Sequence, residues 1–180
     1  MQAWIVIVLG VVVGVSMLRQ RQVANVHDAL TREEFVRMLT PIAKTYAKKK
    51  NYNYRFIVTQ AALESSWGNS RLARDANNLF GITAGRTWTG ETYRIETTEY
   101  MPLPTRVVRD FRRYRSWEES VKDYFDLMQL QMPQTYRRVM QAGAGEDVYA
   151  WAEAVWLSGY ATDPRYRDKL IEVYRAIRWD

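Results

Sequence analysis

A chain of 180 residues, 47% of them hydrophobic, is long enough for one domain with a proper core and a short additional segment. It has no cysteine, which excludes disulfide bonds and thiol catalysis, and its single histidine, His27, precedes the domain and leaves no serine–histidine or zinc–histidine site there. Carboxylates remain as the catalytic groups, and the net charge of +6 favours an anionic partner.

The first 22 residues differ from the rest of the chain. Residues 3–18 are apolar except for Ser16, and Arg19 and Arg21 follow them. This run is slightly shorter than the roughly 17–25 residues of a spanning helix but long for a buried one. No basic residue precedes it and no small-residue cleavage site follows, which argues against a cleaved signal peptide. We therefore expect a transmembrane or signal-anchor helix at residues 1–22 and a linker at 23–29; an ordinary buried helix is the alternative.

Helical spacing of apolar residues dominates the remaining chain. Thr31 with Glu34 and Ser116 with Glu119 are capping boxes, in which a hydroxyl residue is followed three positions later by a glutamate. The pattern predicts helices at about residues 31–50, 55–65, 70–76, 116–128, 134–141, 148–157 and 165–178.

The period changes between residues 79 and 111. This segment is rich in Thr, Gly, Tyr and Val and carries turn signals and two prolines, which favours short strands. We predict a mainly α fold: a lysozyme-like helical domain at residues 30–180 with a small antiparallel β-hairpin lobe, preceded by the N-terminal hydrophobic helix.

One carboxylate lies at the end of an apolar helical run. Glu64 falls in the last turn of the second predicted helix, close to Leu63 and Trp67, and Phe80 follows the next turn. Apolar neighbours would raise the pKa of this carboxyl by desolvation, so that it stays protonated near neutral pH and can donate a proton. The alternative is a helix-end glutamate bonded to the backbone or to Arg71.

The motifs around this glutamate resemble glycoside hydrolase family 73, the N-acetylglucosaminidases that cut peptidoglycan. The resemblance covers roughly residues 30–178 and rests on stretches in matching order: residues 60–68, 77–82, 97–100, 111–124, and 159–164 with Tyr166, Lys169 and Leu170. It implies a lysozyme-like fold and makes Glu64 the catalytic acid.

The second catalytic carboxylate has two candidates, Glu96 and Glu99. Strand positions three apart point to opposite faces, so only one of them can face a cleft. The resemblance selects Glu99, within its Thr-Thr-Glu-Tyr motif. Glu99 would either activate water or orient the N-acetyl group of the substrate, and an exposed strand glutamate is the alternative.

The resemblance also suggests substrate-binding residues. Tyr160 matches a cleft tyrosine whose hydroxyl would bond the substrate or the acid. Trp67 and Tyr100 are candidate walls of a sugar subsite, with the core as the alternative location. Asn78 and Phe80 complete the candidate set, although Asn78 would mainly hold the turn before Phe80. No metal site and no cofactor are predicted.

The expected function is that of an endo-β-N-acetylglucosaminidase acting on peptidoglycan glycan strands. A muramidase or lytic transglycosylase on the same fold is one alternative, and a non-catalytic, membrane-anchored wall-binding or virion structural protein is another. The basic stretch would bind anionic groups of the wall or be a solvated connection; no nucleic-acid module is recognised. It comprises Arg106, Arg109, Arg112, Arg113 and Arg115.

The expected location is the periplasm or cell envelope, with the domain anchored to the membrane. Arg19 and Arg21 complicate this, because the positive-inside rule would hold the domain in the cytoplasm, where a wall hydrolase has no substrate. A phage lysis enzyme with a weak anchor, or a virion component with virion or envelope proteins as partners, would resolve the conflict. The compact layout also favours a phage-derived protein.

Overall fold

The structure, a computed structural model, describes residues 29–100 and 104–179, and for residues 97–100 and 104–106 it describes the backbone alone. The predicted N-terminal helix at residues 1–22 lies outside the described residues, as does most of the predicted linker. Within the described ranges, no helix combines the length and the apolar character needed to span a bilayer.

Helices make up most of the described chain, at nearly the positions that the sequence predicts. A single turn of π-helix, Leu127–Gln131, extends α4 and was not predicted. The α-helices are α1 (Arg32–Lys50), α2 (Tyr54–Ser65), α3 (Arg71–Ala76), α4 (Trp117–Asp126), α5 (Pro133–Gly143), α6 (Val148–Leu157) and α7 (Tyr166–Ala176).

Local signals explain where these helices begin. The Thr31 hydroxyl accepts a hydrogen bond from the Glu34 backbone N–H, and the Glu34 carboxylate accepts one from the Thr31 N–H, which is the predicted capping box. At the start of α4 the Ser116 hydroxyl accepts from the Glu119 N–H, but the Glu119 carboxylate accepts from the N–H and guanidinium of Arg115, so only half of the second predicted capping box forms. Such caps satisfy N–H groups that have no partner inside the helix, so the helix starts are set by nearby residues.

Helix α2 forms the centre of the core. Six of its apolar or small side chains are fully or nearly fully buried, and α1 and α7 pack against it. Phe56 of α2 stacks on Trp151 of α6, with ring centroids 4.6 Å apart. The Trp151 indole N–H donates to the Tyr52 hydroxyl at 2.6 Å. A helix that is mostly buried is held by its neighbours, so the position of its C-terminal end is well defined.

The predicted hairpin lobe is present as two antiparallel strands, β1 (Thr92–Tyr100) and β2 (Pro104–Arg112). Their register pairs Thr92 with Arg112 at the base and Tyr100 with Pro104 at the tip. A β-bridge between Thr83 and Phe111 joins the base of the hairpin to the preceding loop. The mainly helical fold with one small hairpin lobe is therefore confirmed.

A buried ion pair fastens the base of this hairpin to α4. Arg112 is only 2% exposed, and its guanidinium donates to both carboxylate oxygens of Asp123, at 2.9 and 2.7 Å. The Tyr114 hydroxyl donates to the same carboxylate at 2.7 Å, and Gln131 accepts from Arg112 at 3.2 Å. The prediction that Arg112 belongs to a solvated or anion-binding basic stretch is thus wrong, because its charge is neutralised inside the protein.

Candidate active site

Glu64 is displayed at the end of α2 by a sharp turn of the backbone. The helix ends at Ser65, and Ser66, Trp67 and Gly68 all have positive φ angles, of 52°, 58° and 76°. Such angles favour glycine, and a Cβ on Gly68 would also lie 2.9 Å from the Phe35 ring. The chain therefore leaves the helix one residue after Glu64, so that this carboxylate stands at the rim of the core.

A chain of buried hydrogen bonds holds the Glu64 carboxylate. The hydroxyl of Tyr166, in the first turn of α7, donates to Oε1 of Glu64. The same hydroxyl accepts from the Gln60 side-chain amide at 3.3 Å, and the other end of that amide accepts from the Tyr124 hydroxyl. Because Gln60 supplies an N–H to the Tyr166 oxygen, the tyrosine proton is directed at Glu64, and Oε2 remains to carry the acidic proton.

Burial raises the pKa of the Glu64 carboxyl from its ordinary 4.5 to about 8. Desolvation is the largest cause; the hydrogen bond from Tyr166 and the positive charge of Lys169 act in the opposite direction. Lys169 is itself tied to Asp163, with Nζ 2.5 Å from a carboxylate oxygen. At neutral pH the carboxyl is therefore mainly protonated, as the sequence predicts for a proton donor.

The predicted alternative, in which Glu64 is bonded to Arg71, does not occur in the structure. Arg71 was the expected partner, but its guanidinium donates to the Tyr93 hydroxyl at 2.9 Å and lies 3.6 Å from Asp75. Glu64 instead receives its hydrogen bond from Tyr166. The bond that the sequence assigned to Tyr160 is thus made by Tyr166, six residues later.

Tyr160 and Phe80 pack against Tyr166 and Tyr124, two residues of the hydrogen-bond network around Glu64. The buried Tyr160 hydroxyl donates to the Phe80 backbone carbonyl at 2.7 Å, and the Tyr160 ring stacks on Tyr166 at 5.9 Å between centroids. Phe80 is fully buried and stacks on Tyr124 at 4.2 Å. In this geometry the two side chains support the residues that hold Glu64, and they present little surface to a sugar.

The side chain of Asn78 is hydrogen-bonded to the backbone of its own turn and of the hairpin. Its amide N–H groups donate to the carbonyls of Ile82 and Arg112, at 2.9 and 2.8 Å, and its oxygen accepts from the Ile82 N–H at 3.1 Å. The side chain is 1% exposed. Direct contact of Asn78 with a glycan does not fit this geometry, whereas the predicted turn-holding role does.

Trp67 follows the C-terminal end of α2 and packs against α1. Its half-buried ring meets Phe35 edge-on at 6.2 Å, and the Arg32 guanidinium lies 4.9 Å above it. The indole lines a groove along α1, and Glu64 is not among the residues that line that groove. The Trp67 ring is therefore partly exposed, and it follows Glu64 by three residues in the sequence.

Glu99 and Tyr100 are the last two residues of β1. Their backbones pair with Thr105 and Pro104 of β2, and their side chains lie outside the described part of the structure. The predicted roles of these two residues stay predictions. Elsewhere in the described ranges, no group of three or more His, Asp or Glu side chains is arranged to hold a metal ion.

Three residues of the hydrogen-bond network around Glu64, namely Gln60, Tyr124 and Tyr166, were missed as site residues by the sequence reasoning. Gln60 precedes Glu64 by one helical turn in an otherwise apolar helix, so a buried polar side chain at that position was a usable signal. Tyr166 was part of the recognised motif, but the sequence reasoning assigned the hydrogen bond with Glu64 to Tyr160. Two nearby tyrosines cannot be distinguished by spacing alone.

Comparison with known sequences gives a consistent family match. The glucosaminidase family, described as mannosyl-glycoprotein endo-beta-N-acetylglucosaminidase, matches residues 40–178. The peptidoglycan hydrolase FlgJ of Pseudomonas aeruginosa is 32% identical over 151 residues, which are 81% of this chain and 37% of FlgJ. The exo-glucosaminidase LytG of Bacillus subtilis is 33% identical over 156 residues, 83% of this chain and 54% of LytG. The chain thus spans about half, or less, of the length of these relatives.

Solved structures share the fold. The C-terminally truncated glycoside hydrolase domain of FlgJ from Salmonella typhimurium superimposes with a TM-score of 0.66 and 31% identity, covering 81% of this chain and 97% of that domain. The catalytic domain of the autolysin Auto from Listeria monocytogenes gives a TM-score of 0.70 and 25% identity, covering 83% and 88%. The lysozyme-like architecture predicted from the sequence is confirmed.

Proposed function

This chain belongs to the glucosaminidase family, and from that membership we propose that it is a glycoside hydrolase that cleaves the glycan strand of bacterial peptidoglycan. The observation that carries the proposal is that the Glu64 carboxyl is mainly protonated at neutral pH. Burial raises its pKa to about 8, and the Tyr166 hydroxyl fixes one of its oxygens. A carboxyl that is protonated at neutral pH and held at the end of a rigid helix is suited to donate a proton.

Proton donation by Glu64 would start the reaction. The carboxyl gives the proton on Oε2 to the oxygen that leaves the scissile bond, while positive charge develops on the sugar. The carboxylate that remains keeps its hydrogen bond from Tyr166 and the favourable charge of Lys169, both of which stabilise the ionised form. These two groups keep the pKa close enough to neutrality for the acid to lose its proton as well as to hold it.

The bond that we propose to be cut is the one that follows N-acetylglucosamine, in endo fashion, leaving a new reducing N-acetylglucosamine end. Glu99 is the proposed second carboxylate, either as the base that activates water or as the group that orients the substrate's N-acetyl group. The same fold and acid would also suit a muramidase or lytic transglycosylase, which cut on the other side of each disaccharide.

The cellular setting stays a prediction from the sequence. The apolar run at residues 3–18 supports attachment to a membrane, with the domain acting on the wall in the periplasm or envelope. A phage-derived lysis or virion-associated role would account for the two arginines that follow that run. Virion or envelope proteins are the corresponding predicted partners.

The identity of the new chain ends tests the proposed reaction. Purified Gram-negative peptidoglycan would be digested with the protein, reduced with borohydride and analysed by mass spectrometry. Glu64→Gln is the informative variant, and Glu172→Gln, an exposed glutamate on α7, is the matched control. We expect reduced N-acetylglucosamine ends with the unaltered protein and the control, and none with Glu64→Gln.

Other products would redirect the proposal. Reduced muramic acid ends would identify a muramidase, and anhydromuramic ends a lytic transglycosylase. The absence of any product, with folded protein, would favour a wall-binding or structural role.

A further inference from the structure

A groove of about 740 Å³ runs along one face of α1. Residues of α1 at helical spacing form one wall, and the chain at the end of α7 forms the other. Trp67, which follows the C-terminus of α2, also lines the groove. A concave space of this size is typical of sites for small ligands and short peptides.

The groove is strongly basic. Arg32, Arg37, Lys44 and Arg178 line it and are exposed, against a single acidic lining residue, Glu33. In the described part of the chain, no carboxylate lies within 4.0 Å of these four cations. By contrast, several basic residues on the other elements are paired with acidic ones, as in the Arg94–Asp110, Lys122–Asp126 and Arg167–Glu153 pairs. The groove is therefore electrostatically complementary to a ligand with several negative charges.

Part of the groove lining is apolar. Val36, Pro41 and Ile177 contribute to the lining together with the Trp67 ring, over which the Arg32 guanidinium is stacked. A suitable ligand would thus combine small apolar groups with carboxylates.

The groove also begins close to the candidate catalytic acid. Trp67 follows Glu64 by three residues across the turn that ends α2. A glycan strand positioned for proton donation by Glu64 would carry its substituents past this tryptophan. The substituents of peptidoglycan are short peptides that combine alanines with free carboxylates.

We propose that this groove binds the carboxylate-bearing stem peptide of the peptidoglycan strand being cut. The inference rests on the proposed function and adds a substrate preference to it: strands with stem peptides are better substrates than bare glycan. Arg37 and Arg178 contact the carboxylates, and Trp67, three residues after the proposed catalytic acid, lines the same groove.

The test compares two substrates and two double variants. One substrate is a glycan strand that carries stem peptides, and the other is the same strand after an amidase has removed them. Arg37→Gln with Arg178→Gln removes two charges from the groove. Lys48→Gln with Arg138→Gln removes two exposed charges outside it and is the matched control.

We expect the groove variant to lose about tenfold in kcat/KM on peptide-bearing strands and to match the unaltered protein on bare strands. The control should change neither value. Equal losses on both substrates, or no loss on either, would overturn the groove assignment. If the unaltered protein cuts neither substrate, the proposed function fails.

A binding measurement keeps the two failures distinct. Calorimetric titration of the Glu64→Gln protein with a disaccharide-peptide should give a dissociation constant about tenfold weaker when the groove substitutions are added. The same disaccharide-peptide with its carboxylates amidated should bind equally weakly to both proteins. Equal affinities for the free and amidated peptides would contradict a role for charge in the groove.

Discussion

At the scale of single residues, the account depends on how one carboxylate is kept protonated. Glu64 is desolvated at the rim of the core and bonded to one tyrosine, whose orientation is fixed by the amide of Gln60. Burial raises its pKa and the hydrogen bond lowers it, so the two effects together set the value near 8. The bond from Tyr166 is thus both a geometric and an electrostatic control on Glu64.

Removing that bond gives a prediction with a definite sign. Tyr166→Phe deletes a hydrogen bond that favours the ionised carboxylate, so the pKa of Glu64 rises further. The basic limb of the pH profile of kcat should move to higher pH by about one unit, measured on soluble glycan strands. The rate at the optimum should fall, because the carboxylate loses a positioning contact.

The neighbouring tyrosine supplies the control for this prediction. Tyr160→Phe removes a hydroxyl that donates to the Phe80 carbonyl and leaves the Tyr166 bond in place. The basic limb of the pH profile of this variant should lie at the same pH as in the unaltered protein. A limb that moves to lower pH in Tyr166→Phe would show that the hydroxyl does not act as described.

The sequence singled out Glu64 but not its hydrogen-bonding partner. Glu64 was predictable because its surroundings are local: an apolar helix before it and a tryptophan and glycine turn after it. The contact with Tyr166 spans 102 residues and depends on how α7 packs against α2. Spacing within the recognised motif could not decide between Tyr160 and Tyr166.

At the scale of helices and strands, features set by nearby residues were again predictable from the sequence, and features set by distant contacts were not. Helix boundaries followed from capping residues and apolar spacing, which act over a few positions, and the hairpin followed from its composition and turn signals. The burial of Arg112 was not predictable, because it depends on the contact of the hairpin with Asp123 of α4, and the local sequence gave no signal for the π-turn after α4. A run of five arginines gives no sign of which one lies inside the protein.

The anchoring of the hairpin can be measured by removing the acidic partner of Arg112. Asp123→Ala leaves a buried guanidinium without its counter-charge, and the free energy of unfolding should fall by about 3–5 kcal/mol. Urea unfolding followed by circular dichroism would give the value.

An exposed ion pair on the same hairpin is the control. Arg94 and Asp110 are 2.8 Å apart but lie 72% and 39% exposed, so Asp110→Ala should leave the free energy of unfolding nearly unchanged. Similar small losses for both variants would contradict the proposed anchoring of the hairpin by Arg112.

At the scale of the whole molecule, the fold brings distant segments together around one acid. Helices α2, α4 and α7 contribute Gln60, Tyr124 and Tyr166 to the network that ends at Glu64. The hairpin carries the predicted second carboxylate at the far end of β1, and Trp67 lines the basic groove along α1. The perturbed acidity of Glu64 is therefore a property of the assembled domain and disappears when the chain unfolds.

The most direct test of the account is the pKa of Glu64 itself. Protein labelled with ¹³C at the glutamate carboxyls would be titrated by NMR, and the Glu64 resonance assigned by its absence from Glu64→Gln. We predict one glutamate that titrates near pH 8 in the folded protein and returns to about 4.3 in urea. A folded-state pKa in the ordinary range would mean that Glu64 is ionised at neutral pH, and the proposed proton donor would be contradicted.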